Sequence, residues 1–185
     1  VLLAFAEGRR DARGDSGNID LVMRRSTDGG KTWGPLWVVW DEQQNTCGNP
    51  CPVLDKSTGT IHLLMTHNLG KDHESAIIDK TSTGTRTVWT TTSTDNGVTW
   101  TTPREITATT KDPSWTWYAT GPGNGIQLRG GDHAGRLVIP CDHIEVDTRK
   151  YFSHVIISDD HGKTWTRAGS TPKDQLNECA VAELA

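Results

Sequence analysis

The side chains of this chain with most chemical reach lie in a few polar stretches. Arg9 and Arg10 stand together after Leu3-Ala4-Phe5-Ala6-Glu7-Gly8. A guanidinium grips a carboxylate through two parallel hydrogen bonds, and each charge-assisted bond contributes about 1.5–3 kcal/mol. Successive strand residues face opposite sides, so only one of the two arginines can face a given site. Asp15 sits in the loop Arg13-Gly14-Asp15-Ser16-Gly17, with Asp11 and Asp20 as alternatives. Asp20 alternates with apolar residues and is the weaker of these. Glu178 follows Asn177, and Glu183, five residues on, is its runner-up. Such acids can protonate a leaving group or take a proton from a nucleophile. The plainer readings are a surface arginine, a turn aspartate and an ion-pair glutamate. Asn49 before Pro50 reads simply as a turn. Trp115, Trp117 and Tyr118 could stack on a sugar, although aromatic residues so spaced more often belong to a core. His143 and His154 have no metal-ligand spacing.

These residues must be positioned by short strands. Thr, Val and Trp are frequent, Gly and Pro punctuate the chain, and helical periodicity is nearly absent, so the expected class is all-β. A repeat defines the organisation. Ser26-Thr27-Asp28-Gly29-Gly30-Lys31-Thr32-Trp33 recurs as Ser93–Trp100 and Ser158–Trp165, sharing Ser-x-Asp-x-Gly-x-Thr-Trp at near-constant spacing. Asp and Ser hold a turn through backbone N–H groups, Gly supplies positive φ, and Thr-Trp is expected to open the next strand. Strand-like runs precede each box at Ile19–Arg25, Thr87–Thr92 and His154–Ile157. Each box therefore predicts a hairpin turn in a repeated antiparallel unit, as in the blades of a propeller. A calcium loop would need more oxygen ligands than a box supplies, so the box reads as structure and no metal site is expected.

The 185 residues suffice for one compact domain burying about 70% of its unfolded surface. The net charge of −4 lacks the basic excess of a nucleic-acid binder. No apolar stretch approaches the ~20 residues of a transmembrane helix, and no signal peptide is visible. Val1–Ala6 reads as a buried strand that starts abruptly, and Cys179–Ala185 as an apolar run cut short; both ends look truncated. Cys47, Cys51, Cys141 and Cys179 form no Cys-x-x-Cys pair and read as buried free thiols.

The boxes resemble the Asp boxes of sialidases. So does Leu3–Arg10 with Asp15–Val22, followed in family order by Gly48-Asn49-Pro50-Cys51-Pro52, Trp115–Gly123, Leu137–His143 and Asn177-Glu178-Cys179. On these residues the chain is similar to bacterial-type exo-α-sialidases (neuraminidases), whose domain is a six-bladed β-propeller. The resemblance implies about three blades within a partial catalytic domain, residues 1–185. It implies Asp15 as acid/base, Glu178 as the partner of a tyrosine nucleophile, and Arg9 as the second of three arginines that hold the sugar carboxylate. Asn49 and Asp142 match positions near the N-acetyl and glycerol groups. The implied activity is retaining hydrolysis of terminal α-linked sialic acids on glycoproteins, glycolipids and oligosaccharides, without cofactor. The first arginine motif is expected before Val1, and the third arginine and the tyrosine after Ala185. The resemblance makes a secreted or periplasmic setting the expected one. The segment alone is expected to be inactive and poorly soluble, because an open ring exposes strand edges. The alternative is a non-catalytic Asp-box propeller that binds glycans or serves as a scaffold.

Overall fold

The computed structural model describes residues 1–184. Twelve strands follow in order: β1 Leu2–Arg9, β2 Ile19–Ser26, β3 Trp37–Trp40, β4 Thr46–Asp55, β5 Thr60–Asn68, β6 Thr87–Ser93, β7 Arg104–Glu105, β8 Trp115–Thr120, β9 Ile126–Gln127, β10 Leu137–Glu145, β11 Tyr151–Ser158 and β12 Thr166–Ser170. Two short helices, α1 Glu74–Ile78 and α2 Thr107–Thr110, lie in connections. The strands form three antiparallel meanders: β1-β2-β3, β4-β5-β6-β7, and β8-β10-β11-β12 with β9 beside β10. The first two join through one parallel pair, Ile19↔Thr46. This is the all-β, open propeller architecture expected from the repeat, with three blades.

Blade 2 is buried on both faces, and strand alternation explains how. On β5, Leu63 and Met65 face a cluster shared with blade 1 that contains Leu21 and Trp40. Leu64, between them, faces the opposite cluster with Tyr118, Ile139 and Trp165 of blade 3. Burying each such side chain stabilises the joint by about 1.5–3 kcal/mol.

Each box closes a hairpin by itself. Ser26 Oγ donates to Asp28 Oδ1 (2.8 Å) and accepts from Gly30 N (2.9 Å), while Asp28 accepts from Thr32 N (2.9 Å) and Thr32 Oγ1 (2.6 Å). The pattern repeats at Ser93–Asp95–Thr99 and Ser158–Asp160–Thr164. The second and third boxes also seat on the preceding blade. Gly162, at φ 75°, lies so near His62 that a Cβ would stand 2.1 Å from the ring, and Gly97 meets Leu3 likewise. Arg25 Nε donates to the Asn96 carbonyl (2.9 Å) and Arg104 Nη2 to the Lys163 carbonyl (3.0 Å).

Three local expectations need correction. The box Trp opens a strand directly only in the third repeat, at Thr166; β3 starts four residues after Trp33 and β7 four after Trp100. Pro35 and Pro103 intervene in the first two repeats and cannot donate to a ladder, whereas no proline follows Trp165 before β12. Val1–Ala6 is not a buried strand: β1 pairs with β2 alone and is half exposed. The run from Cys179 forms no strand through residue 184, and Ala185 lies outside the described residues.

Candidate active site

Register puts the boxes and the chemistry on opposite rims. Arg9 pairs with Ile19 at one end of the β1–β2 ladder, and Leu2 pairs with Ser26, the start of the first box, at the other. Seven residue steps separate them, about 23 Å. The rim away from the boxes carries a cleft of about 440 Å³ lined by Arg9, Asp15, Asn49, Asp142 and Glu178. Glu7, Glu74, Arg86, Trp117 and Asn177 also line it. All five candidate residues thus share one cavity, contributed by three blades.

Alternation settles which arginine faces the cleft. Glu7 and Arg9 share one side of β1; Arg10 points the other way to Asp20 (2.5 Å) and Asp41 (3.7 Å). Asp20 is thereby occupied and buried, and neither it nor Asp11 lines the cleft. Glu183 binds Arg129 and the Gly130 N–H elsewhere. Arg9 Nη2 bridges Glu7 (2.9 Å) and Asp15 (2.6 Å), and its Nη1 donates to the Arg13 carbonyl, which folds the 10–18 loop over the cleft mouth. Asp15 itself remains largely exposed.

Asn49 is where the blades meet. It sits at an irregularity of β4 between Gly48 and Cys51 with φ 52°, a conformation that asparagine tolerates better than most residues. The pair Asn49-Pro50 is therefore a bulge inside a strand and not a turn. The Asn49 N–H donates to Glu7 of blade 1 (2.9 Å), its Oδ1 accepts from Thr66 (2.7 Å) and from Arg86, and its carbonyl accepts from Thr120 of blade 3. Gly48 makes room for this: a Cβ there would lie 2.5 Å from Glu7 Oε1. The Oδ1 contacts orient the amide and leave Nδ2 without a protein acceptor among the described residues.

Arg86 and Asp142 form the floor. The Arg86 guanidinium is buried, donates to Asn49, Asn68 and the Tyr118 carbonyl (3.0 Å), and lies 4.1 Å over the Trp117 ring. Burial draws its pKa down to about 10, opposed by Glu7, Glu74 and Asp142. Asp142 on β10 is 1% exposed, and neither of its oxygens has a partner among the described residues. Burial raises its pKa to about 7, with Arg86 pulling the other way. A buried carboxyl without donors is costly, and a ligand bearing hydroxyl or N–H groups would relieve that cost. Glu178 is exposed on the irregular stretch after β12, which is tethered by Ser153 Oγ to the Asn177 carbonyl (2.7 Å) and by the Leu176 N–H to the Tyr151 carbonyl (3.2 Å).

The aromatic candidates divide. Trp117 walls the cleft, Tyr118 is core, and Trp115 stacks on His143 at 3.5 Å. His143 and His154 touch through their Nδ1 atoms at 3.0 Å, and burial lowers their pKa values to about 4 and about 3. Cys47, Cys51 and Cys141 are buried free thiols, and Cys179 is half-buried. No helix among the described residues is long and apolar enough to cross a membrane. Sequence reading missed Glu7, Glu74 and Arg86. Glu7 carried a signal, two residues before Arg9 on one strand face. Arg86, a lone base among threonines, carried none.

The family model that matches describes a BNR repeat-like domain and covers residues 1–185. Sialidase-4 of Mus musculus is 37% identical over 202 residues, an alignment that takes in 100% of this chain and 41% of that protein. Sialidase of Micromonospora viridifaciens is 35% identical over 192 residues, with 100% and 29% covered. Among solved structures, Hadza microbial sialidase Hz136 superposes with TM-score 0.82 at 29% identity, covering 95% of this chain and 36% of that one. The chain thus spans well under half the length of these relatives. With its three boxes, its three blades and a family match along its whole length, the chain belongs to the BNR repeat-like family, in its sialidase-like branch.

Proposed function

We propose that the protein carrying this chain is an exo-α-sialidase, a glycoside hydrolase that releases terminal α-linked sialic acids from glycoproteins, glycolipids and oligosaccharides. One observation carries the reading: Arg9, Asp15, Asn49, Asp142 and Glu178, from three blades, share a single cleft in a chain whose relatives are named sialidases. Asp15, exposed at the mouth, protonates the glycosidic oxygen. Arg9 exchanges its bond to Asp15 for the sugar carboxylate when the ligand enters. The free Asn49 Nδ2 donates to an acyl carbonyl, and Asp142 accepts from hydroxyl or N–H groups of the sugar.

Glu178 accepts the proton of a tyrosine nucleophile supplied by another part of the complete protein, and the anomeric configuration is retained. A phenol suits this substrate. A carboxylate nucleophile about 4 Å from the sugar's own carboxylate would be repelled by about 4 kcal/mol at an effective dielectric near 20. Acids outnumber arginines around the cleft, so an anionic ligand needs cationic help beyond Arg9 and Arg86. Further arginines of the complete protein supply that help.

The test is release of a fluorogenic α-sialoside by the complete gene product, with NMR identification of the anomer formed first. Release of the α anomer is expected. An inverted product would overturn the retaining mechanism. Binding without turnover would replace the enzyme by a glycan-binding propeller.

A further inference from the structure

Lys111 ends helix α2 and enters the joint between blades 2 and 3, where it is 6% exposed. Its ammonium group meets three oxygens: Thr85 Oγ1 at 2.8 Å, the Arg86 carbonyl at 2.7 Å and the Thr116 carbonyl at 2.7 Å. The three acceptors match its three N–H donors, and no carboxylate is among them. Burial, with the neighbouring Arg86 charge acting in the same direction, lowers its pKa to about 7. An unpaired buried cation is costly. An apolar side chain would avoid that cost, so its presence calls for a geometric reason.

The reason lies in β8, the inner strand of blade 3. One edge of β8 pairs with β10. On the other edge the carbonyls of Thr116 and Tyr118, two residues apart, face the same way. Lys111 takes the first and Arg86 Nε the second. Two cations therefore stand where a neighbouring strand would donate. Lys111 also holds Arg86 through its main-chain carbonyl, while the Arg86 guanidinium reaches Asn49 and covers the Trp117 ring.

We propose that Lys111 is a positioning residue for the cleft: by gripping the backbone of Arg86 and Thr116 together, it sets the placement of the Arg86 guanidinium and the Trp117 indole against the ligand. Lys111 touches no substrate. Its influence passes through Arg86. The kinetic part of the test rests on the sialoside reading of the cleft; the structural part does not.

In the complete gene product, Lys111→Met raises KM for the fluorogenic sialoside about tenfold and leaves kcat within about threefold. In an Arg86→Met background the same change adds less than about twofold, because the route through Arg86 is already gone. Effects on KM that multiply in the double variant, or an unchanged KM in folded Lys111→Met, overturn the proposal. Thr85→Val removes only one of the three acceptors at an exposed residue, so it keeps the fold testable; it raises KM about threefold, and an unchanged KM counts against the proposal equally. Crystal structures of the wild type and Thr85→Val need no turnover. A shift of the Arg86 guanidinium away from Asn49 is expected, and its absence overturns the inference even if the wild type cleaves no sialoside.

Discussion

The two rims of this propeller use the same side chain in opposite ways. On the box rim, Asp28 and Asp95 are held near pKa 2, chiefly by the hydroxyl and N–H of Thr32 and Thr99, with Ser26 and Ser93 adding to them. Asp160 ends at about 2 as well; burial pushes it up, but bonds from Thr164 and Ser158 outweigh that. On the cleft rim, Asp142 has no donor among the described residues, and burial lifts it to about 7. A turn that must form in every blade satisfies its carboxylate from within its own eight residues. A binding surface leaves an acceptor open for what arrives. The carboxylates that recur in the repeat therefore build the fold, and the chemistry proposed for the cleft falls to acids outside it.

That contrast can be broken at several strengths, each read on the complete gene product. The largest effect is catalytic. Asp15→Asn and Glu178→Gln are each expected to lower kcat by about 10²–10⁴, while Asp95→Asn in a box changes it by less than about twofold. Turnover of a fluorogenic sialoside decides, and an equal loss in the box variant would erase the division between the rims. Next is Gly162→Ala, which places a Cβ against His62 at positive φ. It should remove about 2–3 kcal/mol of stability in urea unfolding, and a neutral result would mean that the box is not seated on the preceding blade.

A third test uses the opposite signs of the shifts. The folded pKa of Asp142 lies above its ordinary 3.8, so its contribution is fully present below that value and is lost as pH rises to about 7. Asp142→Asn should therefore gain about 1–2 kcal/mol over the wild type at pH 8 and little at pH 4. The box acids, shifted down, act conversely: their contribution stands above 3.8 and fades as pH falls toward 2. A melting-temperature difference that does not grow with pH would place Asp142 among satisfied acids. The smallest effect is Ser93→Ala, about 1 kcal/mol, adding to Ser158→Ala within about 0.5 kcal/mol because the two turns share no partner. Strong coupling between them in denaturant titrations would show that the boxes are not self-contained.

Much of the blade architecture was legible because a box is local: Ser26, Asp28, Gly30 and Thr32 make their bonds within seven residues. The choice of Arg9 over Arg10 was legible as a rule, since strand alternation excludes one of any adjacent pair. The delayed starts of β3 and β7 were readable from Pro35 and Pro103, but the repeat consensus hid them. Arg86 was not readable. Its value lies in reaching Asn49, 37 positions earlier, and the Tyr118 carbonyl, 32 later, and neither separation leaves a period or a spacing. Convergence between blades is a property of the packed wedges and has no local code.

Asn49 ties its N–H to the first wedge, its side-chain oxygen to the second and its carbonyl to the third. It works as a keystone whose load comes from three directions. A slight splay of any one wedge reaches the single amide at position 49 that lines the cleft. Angular errors far out on the blades are thereby gathered at one point, so the cleft has a built-in gauge of whether the surrounding architecture is assembled true.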